Sequence, residues 1–377
     1  MINPHWLLPT MRVNQNHTRV KMRKIFNIKS GVHLDRYLQE MRRSGVHPIR
    51  YLSHLGMMIG EYVSPTSSYG IERHPDIEHM EADIRITINE PYIGDVTMIQ
   101  QQTLPWGIEQ IQAPKAWSYS RGNGVRVAVI DTGIASEHPA VRDNYRGGIN
   151  ILSPYYAPKD YNGHGTHVAG IIAGRDADLG LTGVSPRTHI YAVKAFNRKG
   201  SANLSDLLSA INWCIDNNMQ VINMSFGMEK LSESLRQAIQ IAYQKKIIMI
   251  AATGNRGFTS KIDFPARYNE TIGVSSISKE GKLSTFSNMG QGFDIAAPGD
   301  KIPSAWLNNT KRDMSGTSMA VPHVSGTVAL LLYLNRNLSP ENMRHLLKKS
   351  SKSLQKKNRI PTLNAYQAVQ LYDKSYR

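Results

Sequence analysis

Three short motifs contain a carboxylate, an imidazole and a hydroxyl that together could carry out nucleophilic catalysis. Asp131 ends the apolar run VAVI, His164 lies in NGHGTHVAG, and Ser318 lies in SGTSMAVPH. An imidazole activates a hydroxyl by removing its proton, and a carboxylate holds the imidazole in the required tautomer. The three residues are 33 and 154 positions apart, so only the fold of a large domain can bring them together.

Each motif also has a simpler interpretation. Asp131 in DTG is typical of aspartic proteases, but these need two such carboxylates, and the chain has one DTG. His167 competes with His164 as the base and could equally bind a metal or pack in the core; we expect it to pack in the core. Ser318 precedes a long apolar helical run, where serine is ordinarily an N-cap. The surrounding GTSMA sequence favours a nucleophile instead.

The composition indicates a soluble globular protein with basic ends. The chain has 377 residues, 41% of them hydrophobic and 20% charged, and no continuous apolar run long enough to span a bilayer. Its net charge of +16 comes from the ends: residues 1–50 and 336–377 each contain ten Lys/Arg and two Asp/Glu. Since no aromatic residues are interleaved with these charges, we expect solvated surfaces and no nucleic-acid partner.

The single cysteine and the amino-terminal sequence limit the possible disulfides and the expected cellular location. Cys214 excludes an intramolecular disulfide, and its apolar helical context predicts a buried structural thiol. Trp6, Leu7 and Leu8 are followed by Pro9 and a polar stretch, so the extended apolar segment of a secretory signal is missing. We therefore expect a cytoplasmic location, with extracellular release by another route as the alternative.

The pattern along the chain predicts two units and three connecting or terminal segments. Residues 1–22 are irregular, and residues 23–88 alternate strand-like and helix-like segments in a small α+β domain. Residues 89–104 contain Pro, Gly and a polar run, which is typical of an exposed linker. Residues 105–347 form the large domain, and residues 348–377 are a basic extension.

The large domain is predicted to be an α/β three-layer sandwich. Strand-like runs such as VRVAVI, VINMSF and IIMIAAT are continuously apolar and alternate with helix-length segments. Strands covered on both faces require this pattern, so a mainly parallel central sheet flanked by helices is expected. Asp131 and Asn255 then lie near the carboxyl ends of strands, where functional groups gather.

The motifs VAVIDTG, HGTHVAG and GTSMA, in this order, resemble the subtilisin family of serine proteases. The resemblance spans roughly residues 98–335 and includes LPWGIEQIQAPKAW, VINMSFG, AATGN, FPARYN and FSNMG. It implies that Ser318 is the nucleophile, His164 the general base and Asp131 the residue that orients His164. It also implies that the Asn255 side chain donates to the oxyanion, a position where a simple turn residue is the alternative.

The same resemblance implies a cleft for extended polypeptides and a pocket for the side chain before the cut. The residues assigned to these substrate contacts are Ser225, Phe226, Gly227, Ala252 and Gly254. Pairing with the backbone of a substrate implies broad specificity. Arg256 follows the oxyanion asparagine, and we hypothesise that it favours an acidic residue before the scissile bond; a solvated surface arginine is the alternative.

The resemblance implies no cofactor for the chemistry, and this chain departs from its relatives at the strong calcium site. Many members bind calcium through a carboxylate shortly after an HP dipeptide and an asparagine after the HGTHVAG helix. Here those positions are Ala140 and Ala177. A hard cation needs several oxygen ligands at once, so we expect this site to be lost and assign no metal ligand.

The amino-terminal unit resembles the inhibitor-like propeptides of this family, which implies a self-inhibited precursor cleaved within residues 89–104. A permanently attached basic adaptor is the alternative. For the whole chain, a serine endopeptidase acting through an acyl-enzyme is the expected function. The competing interpretations are an inactive relative that binds peptides or an anionic partner, and a nucleic-acid-binding protein.

Overall fold

The computed structural model describes residues 22–62, 71, 73–88, 90, 92–97, 104–176, 180–353 and 360–376. The amino-terminal unit contains a four-stranded antiparallel sheet in the order β2-β3-β1-β4, with one helix on one of its faces. Its elements and the two strands that follow are β1 (Met22–Ile28), α1 (Leu34–Arg43), β2 (Val46–Leu52), β3 (Met57–Tyr62), β4 (Ile77–Ala82), β5 (Arg85–Thr87) and β6 (Tyr92–Thr97).

This small sheet buries apolar side chains on both faces. Helix α1 buries Tyr37, Leu38 and Met41, which lie on one side of the helix and pack against one face of the sheet. Residues on the opposite face, among them Ile25 and Met57, pack in a core shared with the large unit. The amino-terminal unit is therefore docked through an apolar interface, and its α+β architecture matches the prediction.

The large unit alternates strands and helices as predicted. Its elements are, in chain order, α2 (Trp106–Gln110), α3 (Ala113–Ala116), β7 (Arg126–Asp131), α4 (Pro139–Arg142), β8 (Tyr145–Asn150), α5 (His164–Ala173), β9 (Arg175–Asp176), β10 (Leu181–Thr182), β11 (His189–Lys194), β12 (Ser201–Asn203), α6 (Leu204–Asp216), β13 (Val221–Met224), α7 (Glu233–Gln244), β14 (Ile248–Ala252), β15 (Thr271–Ile277), β16 (Ile295–Pro298), β17 (Ile302–Trp306), β18 (Thr310–Ser315), α8 (Thr317–Leu334), α9 (Pro340–Lys349), β19 (Lys352–Ser353), β20 (Pro361–Thr362) and α10 (Ala365–Tyr376).

The central sheet has the strand order β19-β20-β16-β15-β14-β13-β7-β11-β8. All neighbouring strands are parallel except the short edge pair β19 and β20. Helices α5, α8, α9 and α10 contribute to the core on one face, and α6 and α7 contribute to the core on the other. The α/β sandwich with a mainly parallel sheet is thus confirmed, and its carboxyl edge holds the predicted catalytic motifs.

Helix α8 is the one described helix that is long and apolar enough to cross a membrane, but 89% of it is buried inside the folded unit. It runs through the core between the sheet and the outer helices, which accounts for its apolar composition. Cys214 on α6 is fully buried, as predicted for a structural thiol. Burial also raises the pKa of this thiol.

Two segments outside the predicted domains are more closely integrated into the fold than their sequences indicated. Strand β6, inside the stretch predicted to be a linker, pairs antiparallel with β18. At the other end, β20 joins the central sheet and α10 buries Ala365, Ala368 and Val369 in the main core. The residues after 347 therefore contribute packing to the large unit, because a short apolar stripe is retained within their basic composition.

Candidate active site

The fold brings the side chains of Asp131 and His164 into hydrogen-bonding contact, as predicted. Asp131 is the last residue of β7, and His164 is the first residue of α5. The Nδ1 atom of His164 lies 2.8 Å and 2.9 Å from the two carboxylate oxygens of Asp131, and both side chains are almost fully buried. The carboxylate also accepts the backbone N–H of Thr132 at 2.7 Å, which fixes its orientation.

Glycines around His164 allow the strand and the helix to approach closely. A Cβ at Gly165 would lie 2.2 Å from the carbonyl oxygen of Gly133 and 3.1 Å from Asp131 Cβ. Gly163 precedes the helix with a φ of 107°, which side chains rarely adopt. The glycines of NGHGTHVAG are therefore required to place the imidazole against the carboxylate.

Ser318 is the second residue of α8, at the amino end of the longest described helix. Its hydroxyl donates to the carbonyl of Ser225 at 3.0 Å, and the Ser225 hydroxyl donates to the carbonyl of Ser318 at 2.9 Å. These two bonds tie the helix start to the segment that follows β13. The hydroxyl of Ser318 is thus directed to a backbone acceptor and makes no hydrogen bond to His164 in the described part of the chain.

Asn255 follows β14 and is oriented by the turn before α8. Its Oδ1 atom accepts the backbone N–H of Thr317 at 2.8 Å and the Thr317 hydroxyl at 2.9 Å. Because these bonds engage the carbonyl side of the amide, the Nδ2 group is directed into the cleft. This is the orientation that an oxyanion donor needs.

An acidic side chain from the amino-terminal part of the chain lies among these groups. Oε1 of Glu90 is 3.2 Å from His164 Nε2, and its Oε2 accepts the Asn255 amide at 3.3 Å. A Cβ at Gly316 would lie only 1.6 Å from Glu90 Oε2, so the glycine makes room for the carboxylate. The side chain of Glu90 is 3% exposed and that of His164 is 2% exposed. The predicted catalytic groups are therefore covered by a residue of the same chain.

The carboxylates of Asp131 and Glu90 raise the pKa of His164. Burial alone would lower the pKa of the imidazole, but the negative charges and hydrogen bonds of Asp131 and Glu90 outweigh it and raise the pKa to about 10. The raised pKa favours the protonated imidazole, in which both ring nitrogens can donate to the carboxylates.

The predicted substrate contacts lie at the ends of two neighbouring parallel strands. Ser225, Phe226 and Gly227 follow β13, and Ala252 and Gly254 lie at the end of β14 and just after it. Gly227 and Gly254 both face a residue that our sequence analysis missed, Asp263. A Cβ at Gly227 would lie 2.7 Å from Asp263 Cβ, and one at Gly254 would lie 2.5 Å from Asp263 Oδ2.

Arg256 is engaged by two acids. Its guanidinium donates to both carboxylate oxygens of Asp263, at 3.0 Å and 2.5 Å, and lies 3.4 Å from Glu229. The pKa of Asp263 is raised by burial, an effect that Arg256 partly offsets.

Asp263 and Glu90 are the two residues of this site that the sequence analysis did not identify. Asp263 lies just before the FPARYN motif, and Glu90 lies within the predicted linker. Neither position carried a local pattern that would have identified it.

His167 packs in the core, as expected. Its Nε2 atom lies 3.0 Å from the carbonyl oxygen of Ile302 and 2.9 Å from that of Arg312, and burial lowers its pKa to about 3.

The two positions considered for calcium binding differ in what the structure describes. Ala140 is buried in α4 and offers no side-chain ligand, while Ala177 lies outside the described residues. Among the described His, Cys, Asp and Glu, one group is close enough to share a metal, and it lies in the amino-terminal unit: Glu40, His74 and Asp76.

The family comparison and the similar proteins all indicate the same protein family. Residues 122–367 match the subtilase family. The chain is 38% identical over 293 residues to an alkaline protease of Alkalihalobacillus alcalophilus, covering 78% of this chain and 73% of the relative. It is 40% identical over 254 residues to subtilisin Savinase of Lederbergia lenta, covering 67% of this chain and 93% of the relative.

A third relative bears on location. The minor extracellular protease Epr of Bacillus subtilis (strain 168) is 36% identical over 266 residues, covering 69% of this chain and 41% of the relative. A preference for the cytoplasm is therefore not supported, and the family allows release from the cell. With an α/β fold of the expected type and this degree of similarity, the chain belongs to the subtilase family and is a serine-type endopeptidase that hydrolyses polypeptides.

Proposed function

We propose that Ser318, His164 and Asp131 form the catalytic triad of this endopeptidase. Ser318 attacks the scissile carbonyl while His164 accepts its proton, which gives a tetrahedral intermediate. Collapse of this intermediate forms the acyl-enzyme, and His164 returns the proton to the leaving amine. Water then releases the acid product by the same sequence in reverse. Asp131 holds Nδ1–H of His164 and stabilises the imidazolium that forms.

We assign the oxyanion hole to Asn255 Nδ2 and the backbone N–H of Ser318. The amino end of α8 adds the positive end of a helix dipole at the same point. The observation that supports this assignment is the position of Glu90: a single carboxylate lies within 3.3 Å of both the proposed base and the proposed amide donor. These two groups therefore converge on one small anion, as the tetrahedral intermediate requires.

We further propose that the full chain is a self-inhibited precursor. Glu90 occupies the position of the oxyanion and keeps His164 protonated, so substrate and base are both blocked. Strand β5 pairs antiparallel with β12, and the backbone N–H of Ile88 donates to Gly200 at 2.8 Å. The chain thus approaches the cleft as an extended strand, which is how an extended polypeptide substrate would enter it.

Polar contacts reinforce the apolar docking of the amino-terminal unit. The Asp83 carboxylate accepts the backbone N–H and hydroxyl of Ser205 at the start of α6, at 2.8 Å and 2.7 Å. Arg50 forms a buried ion pair with Asp206 at 3.0 Å. Acids placed at a helix amino terminus stabilise it, so this unit supports the large one while it blocks the cleft.

We propose that maturation cuts within residues 89–104, close to Glu90. Ile88 is held against Gly200, and the Glu90 side chain lies at the catalytic groups, so this part of the chain is near Ser318 once the side chain withdraws. Cutting there separates β5 from β6. The remaining contacts of the amino-terminal unit then resist its dissociation.

Mass spectrometry of purified wild type and Ser318→Ala tests the proposed triad and the proposed precursor. We expect the wild type to be shortened at its amino terminus and to react with a fluorophosphonate at Ser318, and we expect Ser318→Ala to stay full length. His164→Ala should abolish labelling without changing the fold. A wild type that is active at full mass would favour the permanently attached adaptor, and a folded wild type without labelling or hydrolysis would overturn the triad.

A further inference from the structure

We propose that Asp263 determines specificity by binding a lysine or arginine side chain immediately before the scissile bond. This inference rests on the proposed function, because it assigns a preference to the pocket formed by Gly227 and Gly254. It replaces the hypothesis that Arg256 selects acidic residues at the same position. The arguments are the location of the Asp263 carboxylate, the hydrogen bonds that fix its backbone, and the arrangement of charged groups around it.

The carboxylate of Asp263 lies between two glycines that line the predicted pocket. Its Oδ2 atom would be 3.0 Å from a Cβ at Gly227 and 2.5 Å from a Cβ at Gly254. Any side chain at either glycine would therefore collide with the acid. A substrate side chain that enters between these two backbone segments meets Asp263 at the end of its path.

The backbone around Asp263 is fixed from both sides. The N–H of Asp263 donates to the carbonyl of Thr253 at 3.0 Å. The next residue, Phe264, exchanges two backbone hydrogen bonds of 2.8 Å with Met228, one residue after Gly227. These bonds connect the floor of the pocket to both of its walls. The carboxylate is thus preorganised, and little conformational entropy is lost when a ligand binds it.

The charges at this position favour a cation. Asp263 and Glu229 both contact the guanidinium of Arg256. Arg267, the other base that acts on Asp263, is held by the carbonyl of Ile262 and by the ring of Phe264. The side chain of Arg256 is 39% exposed, whereas that of Asp263 is 6% exposed. A substrate ammonium or guanidinium can take the place of Arg256 on Asp263, and Arg256 retains Glu229. An acidic substrate side chain would have to displace Asp263 from Arg256, and it would then lie against the buried Asp263 carboxylate.

The test compares peptide substrates that differ only in the residue before the cut: lysine, leucine or glutamate. For mature wild type we expect kcat/KM to be about tenfold higher with lysine than with glutamate or leucine, the range that one pocket contact provides. Asp263→Asn should lower the lysine-to-leucine ratio about tenfold, and Asp143→Asn, an exposed acid outside the pocket, should leave the ratio unchanged.

Arg256→Gln provides a second measurement that does not depend on the folding of the Asp263 variant. It removes the resident cation from the carboxylate, so the lysine-to-leucine ratio should rise. A wild type that prefers leucine or glutamate, or a ratio that does not change in Arg256→Gln, would overturn this proposal while leaving the protease assignment intact. Failure to cleave any of the three substrates, together with no labelling of Ser318, would instead overturn the proposed function.

Discussion

Oε1 of Glu90 lies 3.2 Å from Nε2 of His164, and the two side chains are buried together at the amino end of α5. The nitrogen that accepts the serine proton in the proposed mechanism is therefore bonded to a carboxylate of its own chain. In the proposed precursor, Glu90 would inhibit the site both by occupying it and by keeping His164 protonated, and both effects can be measured.

Glu90→Gln should accelerate self-cleavage of the purified precursor. Glutamine retains the shape of the side chain but removes the charge that keeps His164 protonated, so a larger fraction of the base is neutral at pH 7. We expect the half-life of full-length chain to fall by about tenfold, which corresponds to the loss of one pKa unit at His164. Glu109→Gln, at an exposed position, is the matched control. Equal half-lives for the two variants would contradict the role of Glu90.

Self-cleavage should accelerate as the pH rises from 7 towards 10. The folded pKa of His164 is raised to about 10, above its ordinary value of 6.5, so its contribution to precursor stability is complete below pH 6.5. That contribution is lost as the pH rises through about 10, where the imidazolium loses its proton and the contact with Glu90 weakens. The rate of appearance of mature mass, followed between pH 6 and pH 10.5, tests this. A pH-independent rate would rule it out.

Asn255→Ala should slow the chemical step of the mature enzyme with little effect on substrate affinity. The amide is expected to bind the intermediate much more strongly than the ground state, so kcat should fall by about 10²–10³-fold, the magnitude already established for this asparagine in the family. KM should stay within about twofold. Steady-state kinetics decide between this outcome and a structural role, which would alter both constants and thermal stability.

Arg50→Ala should destabilise the precursor strongly. Arg50 pairs with Asp206 across the two units and also donates to the carbonyl of Ile151, so its loss leaves a buried carboxylate without that cation. We expect the free energy of unfolding to fall by about 3–5 kcal/mol. The control Arg36→Ala removes an exposed pair with Glu40 and should leave the free energy of unfolding nearly unchanged, because solvent screens that pair. Urea denaturation should use the Ser318→Ala background, which prevents cleavage.

Chelators should have little effect on the mature enzyme. Ala140 and Ala177 cannot supply the side-chain oxygens on which strong calcium binding depends. We expect the Tm measured with a chelator to equal that measured with millimolar calcium. A fall of several degrees on chelation would show that other oxygens bind the ion.

The sequence was sufficient to predict the fold and the contact between Asp131 and His164 because its strongest signals are local. A continuously apolar strand that ends in Asp131, and glycines that flank His164, each limit the structures available to their own segment. The order of the motifs then located Ser318 and Asn255 by family resemblance. The apolar strand, the flanking glycines and the order of the motifs are properties of the sequence itself, so they can be recognised without a structure.

Glu90 and Asp263 were missed for a different physical reason. Each acts through contacts with residues far away in the chain, Glu90 with His164 and Asn255, and Asp263 with Gly227. An acid in a polar stretch carries no sign of such a partner. The pairing of β6 with β18 was equally hidden, since short strands that gain their stability from a neighbour need no apolar pattern of their own.

The contacts of Asp83 and Glu81 with the amino ends of α6 and α7 have a consequence for the proposed mature enzyme. Asp83 accepts hydrogen bonds from Ser205, and Glu81 accepts one from Ser232. Under the proposed maturation both acids leave with the discarded segment. The parallel sheet beneath those helices, which assembles slowly from strands distant in the chain, then lacks their support. The mature molecule is thus expected to persist through a high barrier to unfolding and to regain activity poorly after denaturation unless the discarded segment is supplied again.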